Sequence, residues 1–214
     1  NSMDDHCEDL QHILNTLQIE NYVMAGWSIG VQVALAQYRR SPEQIDALIL
    51  IHGVPDRLIK RVFGGAPARL LHPSVRIASR TAPYVVPLIR PFVRRWLKTR
   101  TAMPMFKGLG LIHIDSDEFK ELARDYTELN YGAYLRMVLS AHAHRTEEWL
   151  HEITVPTLVT VGHHDGLTPP NQQTCMRDLI PDVDWVEFEG THFPMLEEPD
   201  KLAECIRRHL KKIS

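Results

Sequence analysis

The stretch Tyr22-Val23-Met24-Ala25-Gly26-Trp27-Ser28-Ile29-Gly30-Val31 carries a short apolar run straight into Gly-x-Ser-x-Gly, and a helix-compatible run, Val31 to Tyr38, follows at once. A strand that becomes a helix within so few residues leaves Ser28 at the tip of the turn. There its backbone is strained and its hydroxyl stands at the top of a sheet. Side chains at positions 26 and 30 are expected to collide across so tight a bend, which accounts for glycine at both. The Ser28 hydroxyl would also face the positive N-terminal end of the next helix, which favours developing negative charge. The pentapeptide alone occurs by chance as a glycine-flanked turn; the strand before it and the helix after it favour a nucleophile.

The rest of the chain continues the same alternation. Asp4 and Asp5 can cap a first helix whose apolar face reads Leu10, Ile13, Leu14 and Leu17. Ser41-Pro42 ends the helix after the elbow, and Ala47–Ile51 is a continuous apolar run, as expected of a parallel strand buried on both faces. From Asp56 to about His151 no strand is expected. Pro and Gly punctuate the first half of this block, and Pro83, Pro87 and Pro91 argue against a long regular helix before Arg94. In the second half, Asp115-Ser116-Asp117-Glu118 looks like a cap before Phe119 and Leu122, and a helix is expected over Tyr131 to His142. The alternation resumes with strands over 157–162 and 185–188, a helix to about Leu179 between them, and a last helix from Pro199 to Lys212 with Leu202, Ile206 and Leu210 inward. The pattern predicts an α/β fold: a mostly parallel sheet of four strands with helices on both faces. Residues 1–55 and 151–214 form its core and residues 56–150 a helical cap insertion.

Charge and cysteine content exclude some functions. The formal net charge of −3 argues against a general nucleic-acid binder. Three scattered cysteines, Cys7, Cys175 and Cys205, make neither a disulfide framework nor a zinc pattern and lean towards a reducing, cytoplasmic setting. No apolar run reaches transmembrane length. The charge is segregated, however: from Asp56 to Lys107 there are 12 basic residues and one acid. The favoured explanation is that these bases pair with the acidic remainder of the chain; a membrane surface or an acyl-chain substrate is the less favoured one.

Three loops leave the C-terminal ends of three expected strands, where open α/β sheets place their sites, and they carry Ser28, Asp165 and His192. A serine hydroxyl needs a base, and histidine titrates near neutrality. The histidine in turn needs a carboxylate to fix its tautomer. Taken singly, Asp165 reads as a turn residue and His192 as a loop histidine. Trp27 reads as a pocket wall. His142 and His144 read as exposed helix-end histidines, with no acidic or cysteine partner at metal-ligand spacing.

With Gly26-Trp27-Ser28-Ile29-Gly30, Val161-Gly162-His163-His164-Asp165 with Pro169 after it, and Gly190-Thr191-His192 with Glu198-Pro199 after it, the chain resembles the α/β-hydrolase family from its first helix to its last. The resemblance implies Ser28 as nucleophile, Asp165 as acid, His192 as base and the Ile29 backbone N–H as one oxyanion donor. It implies no cofactor and no metal, and a small-molecule ester or acyl substrate. Thioesters, amides, C–C bonds and acyl transfer are alternative chemistries of the same fold. In one respect the sequence departs from the family: the strands that normally precede the nucleophile strand, and the loop that supplies the second oxyanion donor, are absent. The expectation is a fold truncated at its N-terminus whose exposed sheet edge is covered by a missing segment or a partner chain, with weak activity. A non-catalytic binding or assembly partner is the alternative. His52-Gly53-Val54-Pro55 resembles the missing loop but follows the nucleophile, and is expected to be a plain strand-to-cap connection.

Overall fold

A computed structural model describes residues 2–63 and 65–213, and the side chains of residues 61–70 lie outside the description. Gly64, and the Arg61, Arg69 and Leu70 side chains of the basic block, therefore fall outside it. Helix α1 (Met3–Thr16) leads into strand β1 (Tyr22–Trp27), helix α2 (Gly30–Arg40) and strand β2 (Ile45–Ile51). Five helices follow before the next strand: α3 (Leu58–Phe63), α4 (Gly65–Leu97), α5 (Ala102–Gly108), α6 (Asp117–Tyr126) and α7 (Tyr131–Ala143). The chain returns through strand β3 (Thr157–Gly162), helix α8 (Thr174–Leu179), strand β4 (Val183–Phe188), the short helix α9 (Pro194–Glu197) and helix α10 (Pro199–Leu210).

The described sheet has four strands in the order β1-β2-β3-β4, all parallel. Alternate residues of the central strands serve opposite faces. Leu48, Leu50, Val159 and Val161 pack with Val31, Leu35 and Met176 from α2 and α8. Ile49, Ile51 and Leu158 pack with Phe188, Leu202 and Cys205, the last two from α10. β2 and β3 are buried almost throughout, which explains their unbroken apolar runs. β1 is half exposed and lies at the edge of the described sheet. The register pairs Trp27 with Ile51, Ile51 with Thr160, and Gly162 with Phe188, so the strands end nearly level and their loops open on one side.

Two local expectations are corrected. The cap of α1 is Ser2, not Asp4. Ser2 Oγ accepts from the Asp5 N–H at 3.1 Å and Asp5 Oδ2 accepts from the Ser2 N–H at 2.8 Å, a reciprocal box. The buried face of α1 is Met3, Cys7 and Leu14, whereas Ile13 and Leu17 point to solvent. The second correction is larger. The proline-punctuated block folds as the 33-residue helix α4, with Pro73, Pro83, Pro87 and Pro91 inside it. Each proline removes an N–H and crowds the carbonyl four residues back. Pro83, Pro87 and Pro91 repeat every four residues along one stripe and are exposed, although Pro83 also touches α7 and the carbonyl it deprives, that of Ser79, faces α7. Helix α4 packs on α7 beside this stripe, where Gly132 permits close approach: a Cβ there would stand 3.2 Å from the Ser79 carbonyl oxygen and 3.1 Å from Pro83 Cγ.

Candidate active site

Ser28 occupies the bend between β1 and α2 with φ of +58°, the left-handed region that a non-glycine residue enters only under constraint. The constraint is visible on both sides of it. A Cβ on Gly26 would stand 2.2 Å from the Gly30 carbonyl oxygen, so residue 26 must be glycine for the bend to close. A Cβ on Gly30 would meet nothing within 4 Å, so the expected collision at position 30 does not exist; only its backbone is crowded. From below, Gly53 lies under the elbow, where a Cβ would stand 2.3 Å from the Ser28 carbonyl oxygen, and the Ser28 N–H donates to the Ile51 carbonyl at 2.9 Å. His52-Gly53 is thus a support beneath the bend. Ile29 is the N-cap of α2, with no side chain bonding into the cap.

Asp165 and His192 arrive from the ends of β3 and β4. The His163 N–H donates to the Phe188 carbonyl at 2.8 Å and the His164 N–H to the Gly190 carbonyl at 3.1 Å, which lashes the two loops together. His192 is 2% exposed and Asp165 is 3% exposed. His192 Nδ1 donates to Asp165 Oδ2 at 2.8 Å, which leaves Nε2 free to accept the Ser28 hydroxyl proton at an Nε2–Oγ distance of 2.8 Å. The three residues lie in sequence positions 28, 165 and 192, and the topology brings them into one hydrogen-bonded line at the C-terminal edge of the sheet.

Asp165 is surrounded by donors. Its Oδ1 accepts from the backbone N–H groups of Leu167 at 2.8 Å and Thr168 at 2.7 Å. Its Oδ2 also accepts from Thr168 Oγ1 at 2.6 Å. Burial pushes the carboxyl pKa up, but the hydrogen bond and charge of His192 and the Thr168 donors outweigh it, and the group is held below its usual range. It is a carboxylate at neutral pH. Thr168 Oγ1 also lies 2.9 Å from the His52 carbonyl and 3.3 Å from His192 Nδ1, so one hydroxyl meets Asp165, His192 and the supporting loop. The sequence reading passed over Thr168; its only signal is an Asp-x-x-Thr turn directly before Pro169.

Trp27 does not line the cavity beside Ser28. Its indole N–H donates to the His192 carbonyl at 3.0 Å and its ring lies against Phe193 at 5.2 Å between centroids, so it backs the base loop. His142 and His144 are half buried, not exposed, and the His142 ring lies 5.3 Å from that of His72. Among the described residues no group of three or more His, Cys, Asp or Glu side chains could hold a metal ion.

A cavity of about 320 Å³ opens over Ser28 and His192. Its far walls come from the helices between β2 and β3: Val93, Trp96, Phe106, Phe119, Tyr131 and Tyr134 among others. Apart from His192, the ionisable groups in the lining are tyrosines, and burial pushes the hydroxyls of Tyr126, Tyr131 and Tyr134 above their ordinary pKa. The cavity therefore presents aromatic and aliphatic walls with neutral phenol groups, and no fixed charge.

The comparisons with known proteins agree with this architecture. A family model described as the alpha/beta hydrolase fold matches residues 1–199. The RutD protein of Yersinia enterocolitica, whose assigned role as a carbamate hydrolase is provisional, is 23% identical over 191 residues, covering 88% of this chain and 62% of that protein. The biotin biosynthesis bifunctional protein BioHC of Teredinibacter turnerae is 25% identical over 227 residues, covering 98% of this chain and 37% of that protein. The chain thus spans less than two thirds of both relatives. Among solved structures, a thermophilic esterase from Thermogutta terrifontis superposes with a TM-score of 0.72 at 23% identity, over 100% of this chain and 73% of that one. The esterase EaEST from Exiguobacterium antarcticum gives a TM-score of 0.74 at 17% identity, over 98% and 74%.

Proposed function

The chain belongs to the α/β-hydrolase fold family, and from that premise we propose that it is a serine hydrolase of carboxylic esters working through an acyl-Ser28 intermediate. The observation that carries the reading is the continuous relay from Ser28 Oγ through His192 to the four-donor carboxylate of Asp165. As the Ser28 oxygen attacks the ester carbonyl carbon, its proton passes to His192 Nε2, and Asp165 stabilises the imidazolium that results. The oxygen of the tetrahedral intermediate lies by the first turn of α2, where the Ile29 N–H is the donor and the helix end favours negative charge. His192 then returns the proton to the leaving alcohol, and a water activated by the same histidine releases the acid. The uncharged aromatic cavity suits a neutral ester with an apolar acyl group, and no charged side chain is present to hold a carboxylate there.

A fluorophosphonate probe tests the reading. The protein is expected to be labelled once, Ser28→Ala is expected to abolish labelling, and Asp165→Asn is expected to lower kcat on a p-nitrophenyl ester by about 10⁴ through the wrong histidine tautomer. Labelling that persists in Ser28→Ala, or no labelling of the unmodified chain, would sink it.

A further inference from the structure

Helix α4 divides its solvent side into two stripes. At about 100° per residue, Ile77, Tyr84, Leu88 and Phe92 fall within one arc of about 80°. They are 63%, 78%, 71% and 74% exposed, and Val85 widens the stripe at 48%. Ile77 to Phe92 covers about 22 Å of helix. Alongside and at the C-terminal end lie Arg76, Arg80, Arg95 and Lys98, all exposed and, among the described residues, in no ion pair. Part of the basic block is neutralised within the chain: Arg57 lies 3.9 Å from Glu148, Arg90 and Arg94 share Glu128, and Lys107 meets Asp115 at 3.0 Å. Arg76, Arg80, Arg95 and Lys98 are not among those, and no acid occurs between Arg57 and Ile114.

A contiguous run of large apolar side chains at such exposure marks a docking surface. The charges select its occupant. A second copy of the chain, packed face to face, would bring the same unpaired bases against each other with no acid on either face to answer them. An anionic lipid surface answers both stripes at once: headgroup charge meets the bases, and the boundary with the acyl chains takes the apolar residues. No described helix is long and apolar enough to cross a membrane, so α4 would lie in the interface plane. The continuous helix also removes the objection from the prolines, which lie within it without breaking it. Finally, α4 contributes Val93, Trp96 and Leu97 to the cavity over Ser28. A protein seated on this face holds its cavity beside the lipid.

We propose that the exposed face of α4 docks on an anionic lipid surface. On the hydrolase reading above, this makes an amphiphilic ester the substrate class; the docking itself does not depend on that reading. The test is co-sedimentation of the full chain with vesicles of phosphatidylcholine alone and with added phosphatidylserine, at low and at physiological salt, where the screening length is about 8 Å. Binding is expected to the anionic vesicles only and to weaken at the higher salt. The double variant Leu88→Glu/Phe92→Glu, its fold checked by circular dichroism, should bind roughly tenfold or more weakly. Arg80→Glu/Arg95→Glu should lose the salt-dependent part. No sedimentation with anionic vesicles at low salt overturns the proposal, as does equal sedimentation of Leu88→Glu/Phe92→Glu. A lipid-free dimer abolished by that variant, without vesicle binding, would assign the face to a second copy and overturn it too. Because the readout is binding without substrate, failure here is distinguishable from failure of the serine chemistry.

Discussion

His52 lies behind the hydrogen-bonded line of Ser28, His192 and Asp165 and is not part of it, yet it is expected to leave a measurable mark. It is fully buried, with Nδ1 2.9 Å from Thr160 Oγ1, φ of +44° and, among the described residues, no hydrogen-bond partner for Nε2. Burial pushes its pKa down from 6.5 to about 3, more than the nearby Asp165 charge can offset. The unfolded chain takes up this proton near pH 6.5 and the folded chain only near 3. Between those values the unfolded state binds more protons, so stability falls as pH falls, and the contribution is complete above pH 6.5. Between pH 6.5 and 5 this one group removes about 2 kcal/mol. His52→Asn deletes the titration, keeps a polar atom near the Nδ1 position and suits a left-handed backbone. Urea unfolding at the two pH values should show the variant losing about 2 kcal/mol less than the parent over that interval. An identical loss in both would place the acid sensitivity in other groups. Nothing in the sequence marked His52 as buried, because its His-Gly-Val-Pro context reads as a loop; burial followed only once β2 and β3 were seen to enclose it.

At the scale of elements, the sequence was most readable where one residue's chemistry forces one geometry. The elbow is the example: a strand, a strained serine and a helix within ten residues leave a single arrangement, and the structure has it. The two glycines around it separate a necessary residue from an incidental one. Gly26→Ala should destabilise the fold by about 1–3 kcal/mol or more, since its Cβ would overlap the Gly30 carbonyl, a backbone atom that cannot swing aside. Gly30→Ala, with open space at the Cβ position and a helical setting, should stay within about 0.5 kcal/mol of the parent or gain stability. Comparable losses in thermal or urea unfolding would mean that the bend tolerates neither side chain. α4 failed to read as a helix for the opposite reason. Proline rules are local, whereas the alignment of prolines on one exposed stripe and the packing of α4 on α7 are properties of the whole helix. The apolar face of α1 was misassigned similarly, because helical spacing alone fits two neighbouring stripes and only the packing partner chooses between them.

On the scale of the whole molecule, the sheet and the helical segment between β2 and β3 meet at the base loop, and one carboxylate joins them. Glu197, at the end of α9, accepts from the His113 N–H through Oε1, and from the Thr191 N–H and Thr191 Oγ1 through Oε2. Thr191 immediately precedes His192, and its hydroxyl also lies 2.8 Å from the Leu111 carbonyl. The same strip reaches the acid loop, where the Gly166 N–H donates to the Gly110 carbonyl at 3.3 Å and the His113 and His164 rings lie 4.9 Å apart. Residues 110–113 thus hold the loops of both Asp165 and His192, so the geometry of this hydrogen-bonded line depends on a segment remote in sequence from both strand ends. Glu197→Gln keeps the size but turns one accepting oxygen into an amide donor facing an N–H. It should cost about 1–3 kcal/mol of unfolding free energy, the range for a charge-assisted bond lost with a donor left unpaired. If the strip also sets the relay, the variant should be labelled more slowly by a fluorophosphonate while the unfolding transition stays cooperative. Stability and labelling rate both equal to the parent's would show that the backbone of the base loop holds itself, and that the junction at Glu197 merely accompanies the site.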